Sequence, residues 1–165
     1  LPKLEALLAH WPAYLPCAVE VRHPVFFHKG EEEKAFNQLL ITYGANRVML
    51  DVRPVFSTPA NGHAGLAHAP QEKPKLPLHV LSTAEQPIIR FIGHIDKTIN
   101  SRYLAPWIDC LKLWISQGKT PFLFVHTADN RESPEMARHL YHTLQQHIAL
   151  PELDPFADEK QSQLF

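Results

Sequence analysis

Cysteine is scarce in this sequence: Cys17 and Cys110 are its two thiols, far apart and without a CxxC spacing. That excludes a disulfide scaffold, and it fits reduced, structural thiols in a cytoplasmic protein. Excess charge of either sign is also missing, since 16 Lys and Arg stand against 17 Asp and Glu. A protein that grips nucleic acid or anionic lipid by bulk charge is excluded on that ground, although a local cationic site is not. No apolar run approaches the ~20 residues that a membrane span needs, and no signal-peptide pattern opens the chain. The Gly-rich phosphate loops GxGxxG and GxxxxGK[ST], the zinc motif HExxH and the nucleophile elbow GxSxG are all absent.

What is present is a chain of 165 residues, 45% of them hydrophobic and 20% charged. Those values describe one globular domain large enough to bury a core. Histidine (11) and proline (15) are the two unusual contents, and each calls for a local explanation. The chain opens at Leu1 in what reads as the end of a helix, with Leu4, Leu7 and Leu8 at helical spacing, the pattern of a piece of something longer.

Four strand-like runs punctuate the sequence: Ala18–His23, Val48–Arg53, Ile88–Gly93 and Phe122–His126. A helix is expected from about Glu31, with Ala35, Phe36, Leu39, Leu40 and Tyr43 on its apolar face and Gly44 as its stop. A second has Pro106 near its first turn and Trp107, Ile108, Leu111, Trp114 and Ile115 inward, with Gly118 just beyond. In a third, Ser133 serves as the cap, Pro134 takes the first position, and Ala137, Leu140, Tyr141, Leu144 and Ile148 turn inward. Strands followed by helices argue for parallel pairing through crossover helices, in sequential order. Residues 54–87, rich in proline and without periodicity, read as a long loop over one end of the sheet. The domain is therefore drawn at 1–150, with 151–165 as a flexible tail.

The strands are not the continuous apolar runs of purely structural parallel sheets. Side chains alternate with period two, so Glu20 shares a face with Arg22, Asp51 with Arg53, and Phe124 with His126, while Arg90 and His94 lie on one parity of the third strand. Convergence of these faces at the C-terminal ends of the strands would place an active site there. Glu20, Asp51 and His126 are then the candidate catalytic residues, acting as general acids or bases. Arg22, Arg53, Arg90 and His94 are the candidate anion holders, guanidinium being suited to bidentate grip of phosphate or carboxylate. Glu20, Asp51, His94 and His126 offer oxygen and nitrogen donors that suit a divalent Zn or Mn, although no i,i+4 His pair fixes such a site. The same charges also read as internal ion pairs, Glu20 with Arg22 or Arg53 and Asp51 with Arg90. His28, His63, His68 and His79 read as solvated loop residues.

Five segments carry a resemblance: Val19-Glu20-Val21-Arg22-His23-Pro24, Asp51-Val52-Arg53-Pro54, Lys73-Pro74-Lys75-Leu76-Pro77-Leu78-His79, Ile89-Arg90-Phe91-Ile92-Gly93 and Phe122-Leu123-Phe124-Val125-His126-Thr127. Together, and in this order, they resemble the domain-of-unknown-function family 72, in its YecE-like bacterial branch. The resemblance implies a TIM-barrel-like fold with no settled activity. It departs from the wider family at His126-Thr127, where an Asn pair often stands. A closed (β/α)8 barrel typically needs ~250 residues, so the expected architecture is the last four β/α units, a half-barrel. Its exposed edge strands would need a second copy or the absent amino-terminal half to cover them.

Three functions are consistent with this reading. The leading one is an enzyme, such as a hydrolase, acting on a phosphate-bearing or other anionic, nucleic-acid-derived substrate. The others are a non-catalytic anion- or partner-binding module and a purely structural ion-pair network. The final residues add a partner: Gln161, Leu164 and Phe165 have the spacing of the short motif by which bacterial replication and repair proteins dock on the sliding clamp.

Overall fold

A computed structural model describes residues 1–59, 66–67, 74–127 and 130–156 of the chain. Its centre is a four-stranded parallel sheet, β1 (Ala18–Val19), β2 (Asn46–Asp51), β3 (Ile88–Gly93) and β4 (Phe122–Thr127), in the sequential order β1-β2-β3-β4. The expected order is therefore observed, with shifted boundaries. β1 keeps two paired residues of the six expected, because the chain turns into a 3-10 turn at Pro24–Phe27. β2 begins earlier and ends at Asp51, ahead of Arg53 and Pro54.

The helices are α1 (Pro2–His10), α2 (Glu31–Thr42), α3 (Lys97–Ser116) and α4 (Ser133–Gln145). α3 starts well before Pro106, which sits inside it; its cap is Asp96, whose Oδ1 accepts the Thr98 N–H at 2.9 Å. The apolar stripe from Trp107 onward showed only the second half of this helix, since its first turns are polar. Ser133 is the first helical residue of α4 rather than its cap, and its hydroxyl instead accepts the Thr127 N–H at 2.9 Å. Gly44 and Gly118, with φ of 64° and 81°, end α2 and α3 in the left-handed conformation that other residues resist.

These four helices lie on one face of the sheet, while the helical residues 66–67 meet the other through Leu66. On the side of the four helices Met49, Ile89 and Phe91 pack against Leu104, Trp107, Leu111 and Trp114 of α3 and against Met136, Leu140 and Leu144 of α4. Beside them Leu8 of α1 meets Phe36 and Leu40 of α2, with Val19 and Val21 packed against them. Sheets wound on both faces place helices on each side; sequential parallel strands with a one-sided helical layer are compatible with a section of a barrel wall. Gly93 lets α4 approach, since a Cβ there would stand 2.7 Å from Met136 Cε. Lys97 ties α3 to α4 through Glu132 at 2.7 Å and Glu135 at 2.9 Å.

The proline-rich connection between β2 and β3 does not simply cross one end of the sheet. Val55 and Leu66 pack with Val52 and Ile92 on the side away from the helices. Residues 74–87 then run extended along the helical side. There Leu78 joins the α3–α4 core, and the Leu81 N–H reaches Met49 Sδ. Thr83 Oγ1 accepts the Arg47 N–H and donates to Ala45 O, both at 2.8 Å. A strap thus covers part of the helical side of the sheet. Prolines lacking N–H groups suit a strap that makes few ladder bonds. Residues 151–156 are also attached to the domain: Tyr141 donates to Pro151 O at 2.8 Å, and Arg138 donates to Asp154 O at 2.7 Å.

Candidate functional site

The period-two rule divides the predicted cluster between the two sides of the sheet. Glu20, Arg22 and Arg90 come together on the face without helices. Glu20 Oε1 accepts Arg22 Nε at 2.8 Å and Oε2 accepts Arg90 Nη1 at 2.5 Å. Burial alone would raise the Glu20 carboxyl, but the hydrogen bonds and charges of Arg90 and Arg22 outweigh it and hold the group below the usual carboxylate range. Glu20 is therefore an anion near neutral pH, shared by two guanidiniums. Its expected pairing with Arg22 is present; Arg90, not Arg53, is its second partner.

Asp51 lies on the opposite face. Register pairs it with Phe91, and its fully buried carboxylate accepts Trp107 Nε1 of α3 at 2.8 Å. Arg53 grips the same group bidentately, Nε to Oδ1 at 2.9 Å and Nη2 to Oδ2 at 2.8 Å, and donates its backbone N–H as well. The Asp51 hydrogen bond comes first among the causes that raise the Arg53 pKa. The expected Asp51–Arg90 pair does not form, because odd and even residues of neighbouring strands in register point to opposite sides. Arg53 also stacks over the Tyr103 ring, 5.4 Å from its centroid.

His94 serves the turn that starts α3. Its Nδ1 accepts the Asp96 N–H at 2.9 Å, so the proton resides on Nε2, which faces Thr58 Oγ1 at 2.8 Å. Asn100 clamps the His94 backbone on both sides, at 2.7 and 2.8 Å. His126 lies on the same face as Arg90: Arg90 pairs in register with Phe124, and Ile92 with His126. Its Nδ1 stands 3.4 Å from Asn130 Oδ1, an acceptor when the amide is so placed, which leaves the Nε2 lone pair for other work. Among the described residues no group of three or more His, Cys, Asp or Glu is placed to hold a metal ion. The sequence-derived set of Glu20, Asp51, His94 and His126 is dispersed over two faces and a helix-capping turn.

Sequence reasoning missed a second group of buried charges. Glu33 and Arg47 are 4% and 2% exposed. Arg47 Nη1 donates to Glu33 Oε1 at 3.0 Å and to Asn37 Oδ1 at 2.6 Å, and Nη2 donates to Phe26 O at 2.9 Å. His79, expected to be solvated, meets the same Glu33 oxygen at 2.5 Å, and Lys29 N–H supplies Oε2 at 2.7 Å. Burial pushes the Glu33 carboxyl up, but its bonds with His79, Lys29 and Arg47 pull it below its ordinary value. One signal was available: Glu33 shares the helical stripe of Phe36 and Leu40, a charge at a core position. His63, His68, Lys73, Gln161, Leu164 and Phe165 lie outside the described residues.

A four-stranded parallel α/β sheet in sequential order, compatible with a partial TIM-like fold, defines an architecture rather than a reaction. The chain belongs to the family described as "Protein of unknown function DUF72", whose model matches residues 1–161. It is 42% identical over 166 residues to "UPF0759 protein YecE" of Escherichia coli (strain K12), and equally to the protein of that name from Escherichia coli O157:H7. Each match covers all of this chain and 60% of the relative, so the chain spans about three-fifths of their length. No solved structure matches the chain. No helix among the described residues is long and apolar enough to cross a membrane.

Proposed function

We propose that the protein is part of a TIM-barrel-like enzyme that holds a phosphate-bearing substrate on the inner face of its sheet. Arg22 and Arg90 grip the anion, Glu20 orients both guanidiniums, and His126 Nε2 acts as general base. One observation carries this reading: two guanidiniums share a single carboxylate. After Glu20 is served, both Nη groups of Arg22 and the Nε and Nη2 groups of Arg90 make no hydrogen bond among the described residues. Guanidinium donors left open in this way suit a bidentate anion. Asp51, Arg53 and His94 leave the candidate site, because their polar atoms serve the fold.

The test is isothermal titration with inorganic phosphate. Arg22→Ala and Arg90→Ala should each weaken binding at least tenfold. His126→Ala should retain binding yet abolish phosphate release from a panel of phosphoesters. Absence of binding by the unaltered protein would reject the reading. Binding without turnover of any phosphoester would favour the non-catalytic module that the sequence also allowed.

Two further parts of the proposal concern partners. Phe122 and Phe124 are exposed on the inner face, and β1 and β4 each have one neighbour in the sheet. A second copy or additional β/α units would pair with those two edges, completing the half-barrel. Gln161, Leu164 and Phe165 are proposed to dock on a sliding clamp; the extended course of residues 151–156 supports this by leading the chain off α4 without helix.

A further inference from the structure

We infer that the ligand of this face is a nucleoside monophosphate lying across the strands, its phosphate on Arg22 and Arg90 and its base on the Phe124 ring. The inference rests on the anion site proposed above and adds the chemistry of the rest of the ligand. On β4 the core takes Leu123 and Val125, which pack against the α3–α4 cluster. Phe122 and Phe124 point the other way, are 43% and 50% exposed, and make no ring contact among the described residues. Phe124 is the register neighbour of Arg90, whose neighbour on the other side, Leu50, is packed against Val52, Val55, Leu66 and Ile92. Read across the sheet, one level therefore presents the Glu20-held arginines, the stem of Arg90 and an open aromatic ring.

Distance and the number of donors narrow the ligand. Strands lie about 4.8 Å apart, so an anion held between Arg22, beside β1, and Arg90 of β3 lies about two strands, roughly 10 Å, from a ring over Phe124 of β4. A nucleoside monophosphate spans that gap through its ribose; a simple aryl phosphate does not. Bases stack on exposed aromatic side chains with little regard to sequence. Arg22 and Arg90 flank a single carboxylate and offer donors for one phosphate group, so a β- or γ-phosphate gains no further guanidinium from them.

The experiment compares inorganic phosphate, ribose 5-phosphate, AMP and ATP by isothermal titration on the full chain. AMP should bind about tenfold more tightly than ribose 5-phosphate. ATP should bind no more tightly than AMP. Phe124→Leu should bring AMP down to the ribose 5-phosphate level while leaving ribose 5-phosphate unchanged. Equal binding of AMP and ribose 5-phosphate would overturn this inference and leave the anion site standing, whereas no binding of any of the four would remove both. If Phe124→Leu does not fold, saturation transfer from Phe ring protons to the purine H2 and H8 of AMP decides in the unaltered protein. Transfer supports the inference and its absence overturns it.

Discussion

Glu33 shows how one buried carboxylate can organise three elements. It joins α2 to Arg47 of β2 and to His79 of the strap, and Arg47 also lies over the rings of Phe27 and Phe36. Removing one partner of a buried pair strands the other, at a cost of about 3–5 kcal/mol. Glu33→Gln should therefore destabilise the protein by about that much at neutral pH, measured by urea unfolding. The Glu33 pKa is lowered on folding, so its contribution is fully present above the unfolded carboxylate range, near ~4.3, and is lost as pH falls through the folded value. Unfolding curves from neutral to acid pH should show the gap between Glu33→Gln and the parent closing on the acid side. A gap that stays constant through that window would assign the loss to packing alone.

The strap is the element that departs furthest from a regular β/α repeat. Its end is tied to the sheet, where Glu85 O and Pro87 O accept the Thr120 and Phe122 N–H groups; before that it depends on point attachments, and Thr83 is the best formed of them, since its hydroxyl both accepts and donates. Thr83→Val keeps the shape and removes both bonds. It leaves the buried Arg47 N–H without an acceptor, which costs about 1–3 kcal/mol. Hydrogen exchange should then accelerate at Arg47 and in the strap while α3 and α4 stay protected. Uniform acceleration across the domain would show that the strap does not open on its own.

At the scale of the molecule, β1 and β4 each keep one edge without a strand partner among the described residues. Analytical ultracentrifugation should find the chain associated with itself or with a complementary chain. A stable monomer of 18.8 kDa with no partner present would count against the half-barrel. For the tail, fluorescence anisotropy of a labelled peptide spanning Asp158 to Phe165 should show saturable binding to a bacterial clamp at micromolar concentration. Loss of that binding in the Leu164→Ala/Phe165→Ala peptide would tie it to the apolar pair, and equal binding by both peptides would end the idea. By itself the sequence determined the four strands, their sequential parallel order and the glycine stops of α2 and α3, because these follow from periodicity and backbone conformation, which are local. It also placed Glu20 beside Arg22, two residues apart on one extended segment. Only the tertiary structure decided that Asp51 and Arg90 face opposite ways, that His79 closes a buried ion pair, and that a proline-rich strap packs along the helical side of the sheet. Those outcomes depend on the register between strands and on contacts between residues remote in sequence, which no local pattern encodes.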